Sequence, residues 1–244
     1  MTATETPLPL GGGEAKRRYV REVFDSIAPR YDLLNRVLSL NVDRRWRRRA
    51  VATLDWQAHS DGCFLDLCAG TLDLSAELGN QQGFSGRVIG ADFVPAMLRR
   101  GRGKSARVVP VAADALTLPF ADASFGGAMV GFGVRNLVDL DAGLREAARV
   151  IRPGGRLVVL EFSTPRHQPL RALYLGYFRQ VLPRIGRFVS KHRSAYDWLP
   201  ASVLAFPDPP ALAGRMTAAG FDTVRWETLW GGIVALHTGL RSTE

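Results

Sequence analysis

Two segments of the chain, RVIGAD at 87–92 and RLVVLEF at 156–162, are apolar almost from end to end, and a strand of that kind has no face to turn to water. It must lie in a sheet covered on both sides. Strands are expected at 63–67, 87–91, 107–112, 126–132 and 156–162, with helices between them at about 73–80, 94–101 and 140–151. Strands alternating with helices in this way predict an α/β fold, a doubly wound and mostly parallel sheet. Ligands bind such sheets at the carboxyl ends of the strands.

The flanking segments extend this core. Val20, Val23, Phe24 and Ile27 recur at helical spacing, Pro29 interrupts, and Tyr31, Leu34 and Leu38 begin a second helix. Asp43 is placed to cap a third, RRWRRRAVATL, with its arginines on a solvent- or phosphate-facing side. Leu170, Leu173, Tyr174, Tyr177, Phe178 and Val181 form an apolar helical stripe, read as core or as the roof of a large apolar substrate. After a helix at about 209–219, FDTVRWETLW and GIVALHTGL meet at Gly231-Gly232 as an antiparallel hairpin, bringing the sheet to seven strands. At 244 residues the chain is read as one domain over 19–244 behind a Pro- and Gly-rich disordered tail over 1–18. No apolar run approaches the roughly 18 to 20 residues that cross a bilayer. The start of the chain lacks the basic-then-apolar pattern of a secretory signal, so a cytoplasmic location is expected. Cys63 and Cys68, with four residues between them, match neither a zinc pair nor a redox pair and are read as buried thiols. No metal is expected.

The net charge of +9 gathers in clusters such as Arg44, Arg45, Arg47, Arg48, Arg49 and Arg99, Arg100, Arg102, Lys104. They suit an anionic membrane surface, a nucleic acid or simply a solvated face.

The turn after the first strand, Asp66-Leu67-Cys68-Ala69-Gly70-Thr71-Leu72-Asp73, defines the chemistry. A strand, a Gly-containing turn, a helix and then an acid at the next strand tip make a nucleoside-binding half, and Asp92, followed by Phe93, lies 22 residues beyond Gly70. That placement fits a dinucleotide or S-adenosyl-L-methionine. A pyrophosphate needs close backbone approach and several glycines, whereas this turn has one glycine and a bulky Leu72. S-adenosyl-L-methionine has no phosphate; its ammonium and sulfonium suit Asp66 and Asp73. Asp114, with Ala115 beside it, follows the third strand, where a carboxylate can accept from an adenine amino group or simply hold a turn.

The stretches VFDSIAPRYDLLNRVLSLNVDRRWRR, GFGVRNLVD, RPGGRLVVLEFSTP, LPRIG and GGIVALHTG, in this order, resemble the demethylmenaquinone and ubiquinone-precursor C-methyltransferase family over nearly all of 20 to 241. The resemblance implies a Rossmann-like methyltransferase, with Thr71, Asp92, Asp114 and Ala115 as cofactor contacts. It implies methyl transfer from S-adenosyl-L-methionine to a ring carbon of a prenylated quinol, demethylmenaquinol in menaquinone biosynthesis being favoured over a benzoquinol precursor. The chain departs from the family's pattern where a serine is replaced by Gly131 and a second turn glycine by Leu72.

A ring carbon attacks a sulfonium methyl well only when the ring is electron-rich, so the acceptor must be the reduced quinol, preferably as phenolate. Arg135 and Asn136 follow the fourth strand, and Arg135, always protonated, is read as stabilising the oxyanion, with a structural ion pair as the alternative. Tyr31 and Asp32 are read as orienting the quinol, Asp32 as a proton acceptor, or as packing the N-terminal helices. An RNA-directed enzyme, a non-catalytic nucleoside-binding scaffold and a nicotinamide dehydrogenase are the competing readings. No aromatic RNA-reading motif is found, and no nucleic-acid partner is expected. Peripheral binding at the inner face of the cell membrane is expected, and homo-oligomerisation is left open.

Overall fold

The structure is a computed structural model describing residues 8–39, 41–177, 180 and 193–243. Strands β1 (Cys63–Leu67), β2 (Arg87–Asp92), β3 (Val108–Ala112), β4 (Phe125–Gly131) and β5 (Ile151–Phe162) run parallel. The hairpin β6 (Phe221–Leu229) and β7 (Val234–Arg241) adds two antiparallel strands, turning at Gly231 and Gly232, both at positive φ. The sheet has seven strands in the order β3-β2-β1-β4-β5-β7-β6. The order reverses between β1 and β4, which leaves a crevice at the carboxyl ends of β1, β2 and β4.

The strands are apolar throughout because alternate residues enter two separate cores. Leu65 and Leu67 of β1 and Leu157 and Val159 of β5 face one side, packing on α6 (Leu140–Val150) through Leu144 and Ala147 and on α9 (Pro209–Ala218) through Leu212 and Met216. Phe64, Val158 and Leu160 face the other, packing on Trp46, Ala50 and Val51 of α3 (Asp43–Thr53) and Leu74 and Leu78 of α4 (Asp73–Gly79). The remaining α-helices among the described residues are α1 (Gly13–Ile27), α2 (Tyr31–Ser39), α5 (Pro95–Gly101), α7 (Leu170–Gly176) and α8 (Arg193–Ala205).

Several elements differ from what the spacing predicts. Strand β5 starts at Ile151, ahead of the expected 156, because Ile151 pairs with Phe125 across a register shift that Gly154, at φ 74°, accommodates. Helix α1 begins at Gly13, inside the stretch read as a tail, and is tied to the core by Lys16, which donates to the Arg135 and Leu137 carbonyls. Asp43 opens α3 without capping it: the preceding Val42 is the N-cap residue, and the Asp43 carboxylate accepts from Ser39 Oγ at 2.7 Å and pairs with Arg47. The apolar stripe splits, with Tyr174 buried and Leu173 72% exposed on α7, while Phe178 and Val181 lie outside the described residues.

Leu72 shows how the turn is held without the usual glycine. Its backbone is left-handed at φ 62°, ψ 23°, a conformation costing a non-glycine residue roughly 1 kcal/mol. Its side chain is buried beside Gly90 of β2 and Gly101 of α5, where an added Cβ would collide with it. Burial of the leucine offsets the backbone cost. Leu72→Ala should therefore lose about 2–4 kcal/mol, whereas Leu72→Gly loses the same packing and regains about 1 kcal/mol of backbone strain. Denaturant unfolding should rank the glycine variant above the alanine variant; the opposite order would mean that Leu72 carries no strain.

Candidate active site

A cleft of about 750 Å³, its mouth included, opens at the crevice. Its floor is the loop after β1, where Cys68, Gly70 and Leu72 are all left-handed, at φ 56°, 52° and 62°. This loop is fastened to β2. Gly70 N–H donates to Asp92 Oδ2 at 2.8 Å, Val94 N–H donates to Asp92 Oδ1 at 2.8 Å, and Ala69 N–H donates to Ala91 O at 3.0 Å. Asp92 lines the cleft, and each of its oxygens keeps a further lone pair for a hydroxyl. Burial pushes its carboxyl up to about 6, with the Val94 and Gly70 N–H groups pulling the other way.

Phe93, Val94, Met97 and Ala91 continue the wall from β2, and Ala113, Asp114, Ala115 and Leu116 continue it from β3. Asp114 Oδ1 accepts from Leu116 N–H at 3.0 Å, and its Oδ2 pairs with Arg17 Nη2 at 2.6 Å. Helix α1 closes the opposite side with Arg17, Val20 and Phe24. Lys16 ties that helix down, its Nζ donating to Leu137 O at 2.6 Å and Arg135 O at 3.2 Å. Burial lowers the Lys16 pKa. Lys16 and Arg17 were missed in the sequence because they fall inside the expected tail; their signal was the helical spacing that continues back from Val20.

Other expected residues stand behind the cleft. Asp66 is buried, accepting from Ser75 N–H at 2.8 Å and Ser75 Oγ at 2.5 Å, so it fixes the first turn of α4. Burial pushes it up to about 7, the Ser75 bonds offsetting only part of the shift. Thr71 Oγ1 donates to Asp32 Oδ1 at 2.6 Å. Lys104 Nζ joins Asp32 at 2.9 Å to Asp73 at 2.6 Å, and Arg47 continues from Asp73 at 2.8 Å to Asp43. This network accounts for part of the basic clusters. Burial raises the Asp32 carboxyl, but the bonds from Thr71 and Lys104 outweigh it and hold the group below its ordinary value. Already ionised and doubly bonded, Asp32 is a weak proton acceptor. Asp73, bound in the same network, is turned away from the cleft.

Tyr31 and Asn136 line the cleft. Burial raises the Tyr31 hydroxyl above its ordinary pKa, so it stays a neutral phenol. Asn136 Oδ1 accepts from Trp198 Nε1 at 2.8 Å. Arg135 lies just behind them in a buried pair, Nη1 to Glu161 Oε1 at 2.7 Å, with its guanidinium 5.3 Å from the centre of the Phe162 ring. Nη1 also donates to Phe132 O, while Nε is buried with no partner among the described residues. The structural ion pair is therefore real. At Gly131 an added Cβ would sit 3.2 Å from Leu74 Cδ2, so the leucine crowds the place of any larger side chain there. Both cysteines are free thiols, and the described residues contain no cluster of metal-ligand type.

The donor set fits a nucleoside without phosphates: an acid for ribose hydroxyls, a second acid beside apolar walls, and one glycine in the turn. Residues 13–241 match the ubiE/COQ5 methyltransferase family. The chain belongs to that family. It is 48% identical over 243 residues to the demethylmenaquinone methyltransferase of Deinococcus radiodurans, covering 98% of this chain and 99% of that one. It is 44% identical to the ubiquinone/menaquinone biosynthesis C-methyltransferase UbiE of Geobacter sp., covering 93% and 97%. An S-adenosylmethionine-dependent methyltransferase structure from Thermotoga maritima has the same fold, with TM-score 0.63 and 18% identity over 91% of this chain and 100% of that one. The protein is thus a methyltransferase with S-adenosyl-L-methionine as methyl donor.

A carboxylate accepts hydroxyl hydrogen bonds more strongly than a carboxylic acid does, so a ribose held at Asp92 would favour its ionised form. Cofactor affinity should rise with pH up to about 6 and level off above it. Asp92→Asn should weaken binding by roughly 10- to 100-fold and flatten this dependence. Calorimetry between pH 5 and 8 checks both; an unchanged affinity would remove the ribose role.

Proposed function

We propose that this methyltransferase methylates a ring carbon of a prenylated quinol, with demethylmenaquinol as its substrate and menaquinol as its product. The observation that carries this reading is the near end-to-end likeness to the demethylmenaquinone methyltransferase of Deinococcus radiodurans. A benzoquinol precursor is the second reading, favoured by the Geobacter relative's name.

When bound, the cofactor would supply an electrophilic methyl on sulfur; the quinol ring carbon would bond to it as the carbon–sulfur electron pair stays on sulfur, and the ring proton would pass to water as aromaticity is restored. Asp92 takes the ribose, Asp114 with Phe93 and Ala115 the adenine, and Gly70 and Thr71 shape the turn beneath them. Asp66 acts indirectly by setting that turn. The cleft end formed by Tyr31 and Asn136 receives the quinol head. Arg135 behind it stabilises the phenolate through its unused edge, because a paired guanidinium can donate but not take a proton. Alignment of carbon, methyl and sulfur supplies much of the acceleration.

A prenylated substrate resides in a membrane, and the protein is read as meeting it peripherally from the cytoplasm. Among the described residues no helix is long and apolar enough to cross a bilayer. Trp230, 54% exposed at the hairpin turn, packs edge-on against Trp46 of α3 with ring centres 6.3 Å apart, and Gly231 abuts Leu170 of α7, the helix that exposes Leu173. The exposed arginines Arg44, Arg45 and Arg48 lie on α3. Exposed Trp230 and Leu173 and the exposed arginines of α3 are the groups that an anionic lipid surface would engage.

Reduced demethylmenaquinone should be methylated and the oxidised quinone left untouched, since its ring carbon is not nucleophilic. Arg135→Lys keeps a cation beside Glu161 but loses the planar fork, so turnover should fall by about 10- to 100-fold with cofactor affinity unchanged. A parallel loss of affinity would make Arg135 cofactor-facing. Sedimentation with vesicles should show binding to anionic lipid that salt weakens, and little binding to neutral lipid; equal partitioning to both would remove the electrostatic contribution.

A further inference from the structure

An asparagine amide can present either its oxygen or its NH2 group to a ligand, and the two ends occupy nearly the same space. The choice is made by whatever bonds to the other end. At Asn136 that partner is an indole, which can only donate, so Oδ1 must face Trp198. The amide's NH2 group finds no acceptor among the described residues, and Asn136 lines the cleft.

Trp198 is itself fixed. It is 2% exposed on α8 and packs on Tyr19 of α1 with ring centres 5.3 Å apart. Helix α8 belongs to the segment between β5 and α9, outside the parallel part of the sheet. The orientation of a cleft amide is therefore set by an element none of whose described side chains is among the lining residues.

We infer that Trp198 is a positioning residue for Asn136: its indole N–H turns the amide so that Asn136 offers the cleft donors only, the arrangement that receives an anionic oxygen of the acceptor ring. With the amide reversed, a carbonyl oxygen would face a phenolate and repel it. The inference rests on the quinol methyltransferase reading for the identity of the oxygen; the lock between indole and amide stands independently of it.

Trp198→Phe keeps a ring against Tyr19 and removes only the N–H. It should lower kcat about 10-fold and leave the affinity for S-adenosyl-L-methionine unchanged, the loss coming from an amide free to flip. Asn136→Ala should cost about 100-fold, as for one oxyanion donor, and the double variant should be no worse than Asn136→Ala alone. Asn136→Asp, which still accepts from Trp198 but turns a carboxylate to the cleft, should lose at least as much as the alanine variant. In NMR spectra the Trp198 indole proton, assigned by its absence in Trp198→Phe, should exchange slowly in the wild type and in Asn136→Asp and quickly in Asn136→Ala.

Wild-type kcat in Trp198→Phe, losses that multiply in the double variant, or cofactor affinity falling in step with kcat would each overturn the inference. Should Trp198→Phe fail to fold, Asn136→Asp decides alone, and wild-type turnover there overturns it. A wild-type enzyme that exchanges the indole proton slowly yet does not methylate demethylmenaquinol would sink the functional reading and leave the lock in place.

Discussion

One carboxylate joins the two halves of the cleft floor. Asp92 ends β2, and its oxygens accept one N–H from the loop after β1 and one from the start of its own loop. Parallel pairing puts Leu67 beside Ala91, so the chain leaving β1 has to turn at the residue level where Asp92 stands. Three left-handed residues in five make that turn, and the bonds to Asp92 and Ala91 hold it. The cost is a buried acid whose carboxyl sits near 6. Two backbone donors offset that cost, and hydroxyls of a bound ribose would offset more of it.

The surrounding charges follow the same logic of burial with a partner. Although the chain carries +9, Arg47 and Lys104 are bound to Asp43, Asp73 and Asp32, and Arg17 to Asp114. These pairs join α1, α2 and α3 to the loops of the sheet. The N-terminal helices are held over the cleft by charge as well as by the packing of Val20 and Phe24. A cofactor whose adenine reached Asp114 would share that acid with Arg17 of the helix that closes the cleft.

The sheet was legible because two-sided burial leaves an apolar run, although the start of β5 was not, and Asp92 was legible because it stands at a fixed distance past the turn. Asp66 and Asp73 were legible only as acids near a turn. Nothing in their spacing shows that Ser75 or Lys104 would claim them, because those partners come from tertiary packing. Lys16 and Arg17 were hidden by the Gly-rich stretch before them, which reads as tail until Leu137 and Asp114 supply acceptors. Glu161 was passed over as the end of an apolar strand, and its partner lies 26 residues earlier in the chain.

That last pair bears on how a low-dielectric site can hold a cation at all. A lone buried guanidinium would cost several kcal/mol in desolvation, and Arg135, with a side chain only 7% exposed, avoids this by sharing its Nη1 with Glu161 and Phe132 O. Pairing weakens the net field that a phenolate would feel. It also restrains the guanidinium, which packs against the Phe162 ring. In the proposed reaction the anion forms only as the quinol loses its proton, and a site of fixed donors needs little rearrangement at that moment. A free arginine would give a stronger attraction to any anion; the paired one favours an oxygen that arrives where its remaining N–H groups already point.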